Sequence, residues 1–116
     1  MKNWPLILLC VLAFFFLKKR FFDNTDYKAM LDAGGVIIDV RSESEFYSGH
    51  IEKSLNIPLS EISSKIEQLT DKDQQIITCC ASGIRSSAAA KILRAKGYTN
   101  VVNGGGWSSL ERKLIK

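Results

Sequence analysis

The stretch "ITCCASGIRSS", 77–87, sets two neighbouring thiols, Cys79 and Cys80, a few residues ahead of Arg85 and Ser86. A cysteine acts as a nucleophile through its thiolate, so its surroundings must favour negative sulfur. Counted from Cys79, the pattern is a cysteine, five residues and an arginine, the spacing of a loop that cleaves phosphate esters. Counted from Cys80, Gly83 falls at +3, Arg85 at +5 and Ser86 at +6, a shorter loop compatible with sulfur transfer. Adjacent strand residues point to opposite faces, so only one of the two sulfurs can face such a loop.

The cradle follows from what flanks it. "QIITC", 75–79, reads as a buried strand, and "SSAAAKILRAKG", 86–97, as a helix ended by Gly97. Between them, the loop amides and the free N–H groups of the helix start converge on a spot that favours an anion. Arg85 would add a positive charge with a planar fork of donors. Under those conditions a thiol pKa falls from about 8.5 into the range of about 3.5–7.5. Gly83 permits the tight curve, Ser86 is expected to cap the helix, and the small Ala88–Ala90 run lets the helix lie close to the sheet.

The elements that must hold this loop alternate. A short helix is expected in "DNTDYKAMLDAGG", 23–35, capped by Asn24 or Thr25 and ended by Gly34. "VIIDV", 36–40, is a β-branched strand buried on both faces. "SEFYSGHI", 44–51, gives a helical turn closed by Gly49, and "SLNIP", 54–58, a short strand stopped by Pro58. "SEISSKIEQL", 60–69, places Ile62, Ile66 and Leu69 on one helical stripe with Ser60 as cap. "NVVN", 100–103, is a short strand; "GGGW" turns into a last helix, "SSLERKLI". Alternating strands and helices predict an α/β fold with a mostly parallel sheet flanked by helices. Ligand sites of such sheets lie at the carboxyl ends of the strands, where Asp39 and Cys80 both fall.

Charge and length restrict the rest. A chain of 116 residues allows one domain. Taking Lys2, Lys18, Lys19 and Arg20 from the 16 basic residues leaves 12 against 12 acidic ones, so residues 21–116 are near neutral and offer no nucleic-acid surface. Three cysteines and one histidine, His50, give neither a disulfide framework nor metal-ligand spacing, and no metal is expected.

The first part of the chain differs in kind. "WPLILLCVLAFFFL", 4–17, has fourteen residues without a charge. As a helix it would span about 21 Å against a hydrocarbon core of about 30 Å. It is apolar all round, is flanked by Lys2 and Lys18, and is followed by "KKRFFDN" with no small-residue cleavage site. The expectation is an uncleaved single-pass transmembrane helix within an anchor and basic flank at 1–22, leaving a domain at 23–116. The excess of basic residues after the span puts that domain in the cytoplasm. A cleaved signal peptide and export is the alternative.

In "DVRSESEF" at 39–46, "GHI" at 49–51, "NIP" at 56–58, "CASGIRS" at 80–86 and "GG" at 105–106, the sequence resembles the rhodanese-like domain family. The likeness covers about residues 24–110. A phosphatase loop beginning at Cys79 would usually carry glycine three residues on and histidine just before, where Ser82 and Thr78 stand. The resemblance implies a single-domain sulfurtransferase in which Cys80 carries a persulfide within the loop Ala81, Ser82, Gly83, Ile84, Arg85 and Ser86. Asp39, Arg41 and Glu45 are expected as supporting ion-pair or loop-anchoring residues rather than reacting groups, and His50 as a turn residue. The implied partners are a thiosulfate or persulfide donor and a thiol or cyanide acceptor, with no cofactor. A phosphatase or arsenate reductase using Cys79, and a non-catalytic binding module, remain the alternatives. Ser54, Asn103 and Leu110 depart from residues common in the family, and the expectation is that these departures touch packing near the last turn without affecting the loop.

Overall fold

The computed structural model describes residues 25–115. The expected anchor at 4–17 therefore lies outside the described residues, and among those described no helix is long and apolar enough to cross a membrane.

Among the described residues, four strands form one parallel sheet: β1 (Val36–Asp39), β2 (Leu55–Asn56), β3 (Gln75–Cys80) and β4 (Asn100–Gly106), in the order β2-β1-β3-β4. The helices are α1 (Tyr27–Asp32), α2 (Glu43–Ser48), α3 (Ile62–Lys65), α4 (Ile84–Ala95) and α5 (Trp107–Ile115). The α/β class and the parallel sheet agree with the alternation in the sequence.

Both faces of the sheet are covered, which explains the unbroken apolar runs of β1 and β3. One core joins Ile38, Val40, Ile76 and Cys80 to Ile62, Ile66, Ala89, Ala90 and Leu93 beneath α3 and α4. The other joins Ile37, Ile77 and Cys79 to Leu110, with Tyr27, Met30 and Leu114 of α1 and α5 packed against it. The buried Ala89 and Ala90 are what permit α4 to approach β3 closely.

Four local expectations are corrected. The cap of α1 is Asp26, whose carboxylate accepts from the Ala29 N–H at 2.9 Å, in place of Asn24 or Thr25. The 60–69 segment is not one helix: α3 is a single turn between 3₁₀ turns at Leu59–Glu61 and Ile66–Gln68, and Ser60 caps nothing. Ile62 and Ile66 are nevertheless buried as their spacing predicted, so burial, not helix length, carries the stripe. Ser86 does not cap α4. The helix begins earlier, at Ile84, and Gly83 occupies the cap position with φ +104°, a left-handed conformation that glycine adopts without strain.

The fourth concerns β4, which continues through the glycines to Gly106 instead of turning after Asn103. Thr78 pairs with Asn103, but Cys80 pairs with Gly106, so β4 holds one extra residue opposite β3. Glycine is required in that bulge. Gly105 has φ +81°, and a Cβ on Gly104 would lie 2.8 Å from Ile77 Cγ2 and 2.9 Å from the Thr78 carbonyl oxygen.

Candidate active site

Strand β3 delivers its last residue, Cys80, to the start of a loop that curls over the sulfur and enters α4. The Gly83 N–H donates to Sγ at 2.9 Å, and the thiol donates to Ser86 Oγ at 3.4 Å. Burial disfavours the thiolate, but the Ser86 hydroxyl, once its hydrogen turns to the sulfur, and the backbone N–H groups of Ser86, Gly83 and Ser82 favour it more. The net effect holds Cys80 below the ordinary thiol value. Cys80 is buried, with 1% of its surface exposed.

Cys79 has the opposite fate. It is fully buried in the other core, and burial, with the Asp39 carboxylate adding to it, pushes its thiol up to about 12. A phosphatase loop starting there would have its sulfur on the opposite side of the sheet from the loop, with its thiolate strongly disfavoured.

Among the other loop residues, Ala81 and Ser82 are exposed, and Ile84 stands out into solvent at 79% exposure. Ser86 is wholly buried. Thr78 Oγ1, on the same strand face as Cys80, donates to the Ser86 carbonyl at 2.8 Å and ties the first turn of α4 to β3.

Arg85 corrects a further expectation, that it lends its positive charge to the cradle. Its guanidinium forms a bidentate pair with Glu45, Nη1 to Oε1 at 2.7 Å and Nη2 to Oε2 at 2.9 Å. That pairing, helped by hydrogen bonds from Ser42, lowers the Glu45 carboxyl to about 2. The loop therefore holds its anion mainly with dipoles, its one arginine being neutralised by a carboxylate from 40 residues earlier.

The carboxylate is aimed by the supporting residues. Asp39 and Arg41, 0% and 4% exposed, form a buried ion pair with Nη2 to Oδ2 at 2.7 Å and Nε to Oδ1 at 3.0 Å. The same guanidinium donates to the Glu45 carbonyl at 3.2 Å and the Gly49 carbonyl at 2.7 Å, and stacks 4.7 Å from the Trp107 ring. Asn56 Nδ2 donates to the Asp39 and Arg41 carbonyls, closing the knot from β2. Ser42 and Glu45 complete a reciprocal capping box on α2. Asp39 and Arg41 thus act as anchors of α2, and α2 presents Glu45 to Arg85. His50 closes the end of α2, with Nδ1 2.8 Å from the Phe46 carbonyl and its ring stacked on Phe46.

Asn103 belongs to this site, contrary to the expectation that its departure leaves the loop untouched. Its Oδ1 accepts from Ser86 Oγ at 2.6 Å and from the Gly105 N–H at 2.9 Å, and its Nδ2 donates to the Gly83 carbonyl at 3.2 Å. The bulge in β4 brings it there. An asparagine two residues before a glycine that needs positive φ was the available signal, since such a side chain bonds its own backbone two residues on.

Comparison with known proteins agrees with this geometry. The model of the rhodanese-like domain matches residues 23–113. The chain is 34% identical over 80 residues to the thiosulfate sulfurtransferase PspE of Escherichia coli, a match covering 68% of this chain and 77% of that one. It is 33% identical over 97 residues to a putative mitochondrial thiosulfate sulfurtransferase of Schizosaccharomyces pombe, covering 72% and 68%. It is also 34% identical to the Arabidopsis thaliana protein HIGH ARSENIC CONTENT 1, of which it spans only 56%. Among solved structures, a rhodanese with anions from E. coli aligns with a TM-score of 0.61 at 35% identity, over 64% of this chain and 88% of that chain.

Proposed function

The chain belongs to the rhodanese-like domain family, and from that premise we propose that it is a sulfurtransferase whose nucleophile is Cys80. The Cys80 thiolate attacks the outer sulfur of a donor persulfide, R–S–S⁻. The donor's S–S bond breaks, and the departing thiolate takes a proton from water. Cys80 then carries Cys–S–S⁻, with its negative sulfur facing loop dipoles that need no rearrangement. An acceptor thiolate, or cyanide in an assay, takes the outer sulfur and restores the Cys80 thiolate. Two half-reactions on one nucleophile give ping-pong kinetics. Sulfane sulfur only changes partner, so the cycle balances without a cofactor.

The observation that carries this reading is the Cys80 sulfur held by the Gly83 N–H beneath the start of α4, with Cys79 turned into the opposite core. The pairing of Arg85 with Glu45 favours a singly charged persulfide over dianionic thiosulfate as donor. The relatives named thiosulfate sulfurtransferases support the reaction class. Mass spectrometry of the isolated protein should find about one added sulfur per chain, confined to the Cys80 peptide and removed by cyanide. A protein that never holds this sulfur after treatment with either donor would be a binding module.

The segment 4–17 and its basic flank support a tether that keeps the domain at the cytoplasmic face of a membrane. Proteolysis of sealed, right-side-out vesicles tests it. The domain should be protected until detergent is added, whereas release from the membrane as a shortened chain would mean a cleaved export signal.

A further inference from the structure

Ser86 is wholly buried and bonded on two sides. A hydroxyl has one hydrogen and two lone pairs. Its contact with Asn103 Oδ1 is 2.6 Å and its contact with Cys80 Sγ is 3.4 Å. The Asn103 amide cannot be turned over without loss. The Gly105 N–H at 2.9 Å needs an oxygen, and the Gly83 carbonyl at 3.2 Å needs the NH₂. The atom facing Ser86 is therefore an oxygen, and the hydrogen between them comes from Ser86. What Ser86 offers Cys80 is a lone pair, which accepts the S–H of the neutral thiol.

We propose that Asn103 is a positioning residue for the sulfur chemistry at Cys80: by holding the Ser86 hydroxyl hydrogen it turns the Ser86 lone pairs toward Sγ and restrains ionisation of the thiol. When the S–H ionises, Ser86 either swings its hydrogen from Asn103 to the sulfur or leaves a lone pair against an anion. Both cost free energy. Asn103 and the thiolate thus compete for one hydrogen, while the Gly83 N–H stays on the sulfur in either state. The consequence is a tempered nucleophile, since intrinsic thiolate reactivity falls with its pKa and the best attacker has a pKa near ambient pH.

The titratable and charged groups around the sulfur are Cys79 on its own strand, Arg85 on α4 with Glu45 of α2 paired to it, and the Asp39–Arg41 pair beyond β1. Strand β4 brings no ionisable side chain, so Asn103 acts through hydrogen bonding alone.

This inference rests on Cys80 being the sulfur-carrying thiol, and its test is separable from that reading. The rate of Cys80 alkylation by iodoacetamide, resolved by peptide, is followed against pH in the full chain for wild type, Asn103→Leu, Ser86→Ala and the double variant. Asn103→Leu should lower the midpoint by about half to one pH unit, because Ser86 becomes free to donate to the thiolate. In the Ser86→Ala background the same change should shift it by less than about 0.2 unit. Asn103→Ala, which removes the same acceptor from an exposed side chain without adding bulk, must move the midpoint in the same direction. A midpoint that rises or stays put in both Asn103 variants overturns the proposal, as does an undiminished shift without Ser86. A wild-type protein that never holds sulfur but shows these shifts would refute the sulfurtransferase reading and leave the hydrogen-bond competition standing.

Discussion

Cys79 and Cys80 are consecutive in sequence yet their side chains belong to different cores, Cys79 with Ile77 and Leu110 on one side of the sheet and Cys80 with Ile76 and Ala89 on the other. The pleat of a single strand separates a sealed thiol from a poised one.

Cys80→Ser should reduce thiocyanate formation from a persulfide donor to background, a loss of at least about 10³-fold, because serine cannot carry sulfane sulfur. Cys79→Ala should retain activity per folded molecule and lose about 1 kcal/mol of stability, the cost of a small cavity in a packed core. Steady-state assays and urea unfolding of the two variants check both statements.

The pH profile should show one thiol below the free-cysteine value and one far above it. Against its own burial, Cys80 is held below the ordinary value by the Ser86 hydroxyl, once its hydrogen turns to the sulfur, and by the loop amides. Alkylation at Cys80 should therefore reach its plateau at lower pH than a cysteine peptide. The stability that its thiolate adds is present above the unfolded pKa of about 8.5 and disappears as pH falls through the folded value. Cys79, pushed up to about 12, acts in the other sense: the native state should lose stability as pH climbs from about 8.5 toward 12. Alkaline unfolding that is delayed in Cys79→Ala is the expected signature.

Freeing Arg85 should widen the donor range. Glu45→Gln removes the carboxylate charge but keeps an oxygen for the capping box of α2. The KM for thiosulfate is expected to fall several-fold, most strongly at low ionic strength, with little change for a singly charged persulfide. An unchanged KM for thiosulfate would mean that Arg85 does not govern donor charge. In the wild type, the pair's contribution to stability is present above the carboxyl's unfolded value of 4.5 and is lost as pH falls through about 2. Both side chains are more than a third exposed, so salt should weaken that contribution.

Asp39→Asn should be far more damaging to stability than any change at Glu45, because it leaves the Arg41 guanidinium buried without its counter-charge. Removing one member of such a pair costs about 3–5 kcal/mol. An unfolding free energy from urea titration within about 0.5 kcal/mol of wild type, the range of an ordinary surface change, would contradict the anchoring role.

The sequence made the local parts of this architecture legible. The β-branched runs marked β1 and β3, Gly83, Arg85 and Ser86 fell at fixed steps from Cys80, and charge at a strand end marked Asp39 and Arg41 as anchors. What escaped was set by distance along the chain. Nothing near Arg85 announces that its carboxylate partner lies 40 residues earlier. Nothing near Ser86 announces Asn103, 17 residues later and brought into reach by a bulge. Ser86 looked like a cap because caps are chosen from serine, threonine and aspartate, but the left-handed turn at Gly83 moved the helix start forward and drew Ser86 inside it.

Of the four strands described, the bulged β4 is the last to leave a ribosome. Until it docks, Cys80 lacks its pairing with Gly106, and Ser86 lacks Asn103. During synthesis the thiol therefore acquires its working electrostatics only once the chain through Gly106 is present. A chain cut short before residue 100 would keep all the residues of the loop and none of the wall that disciplines them.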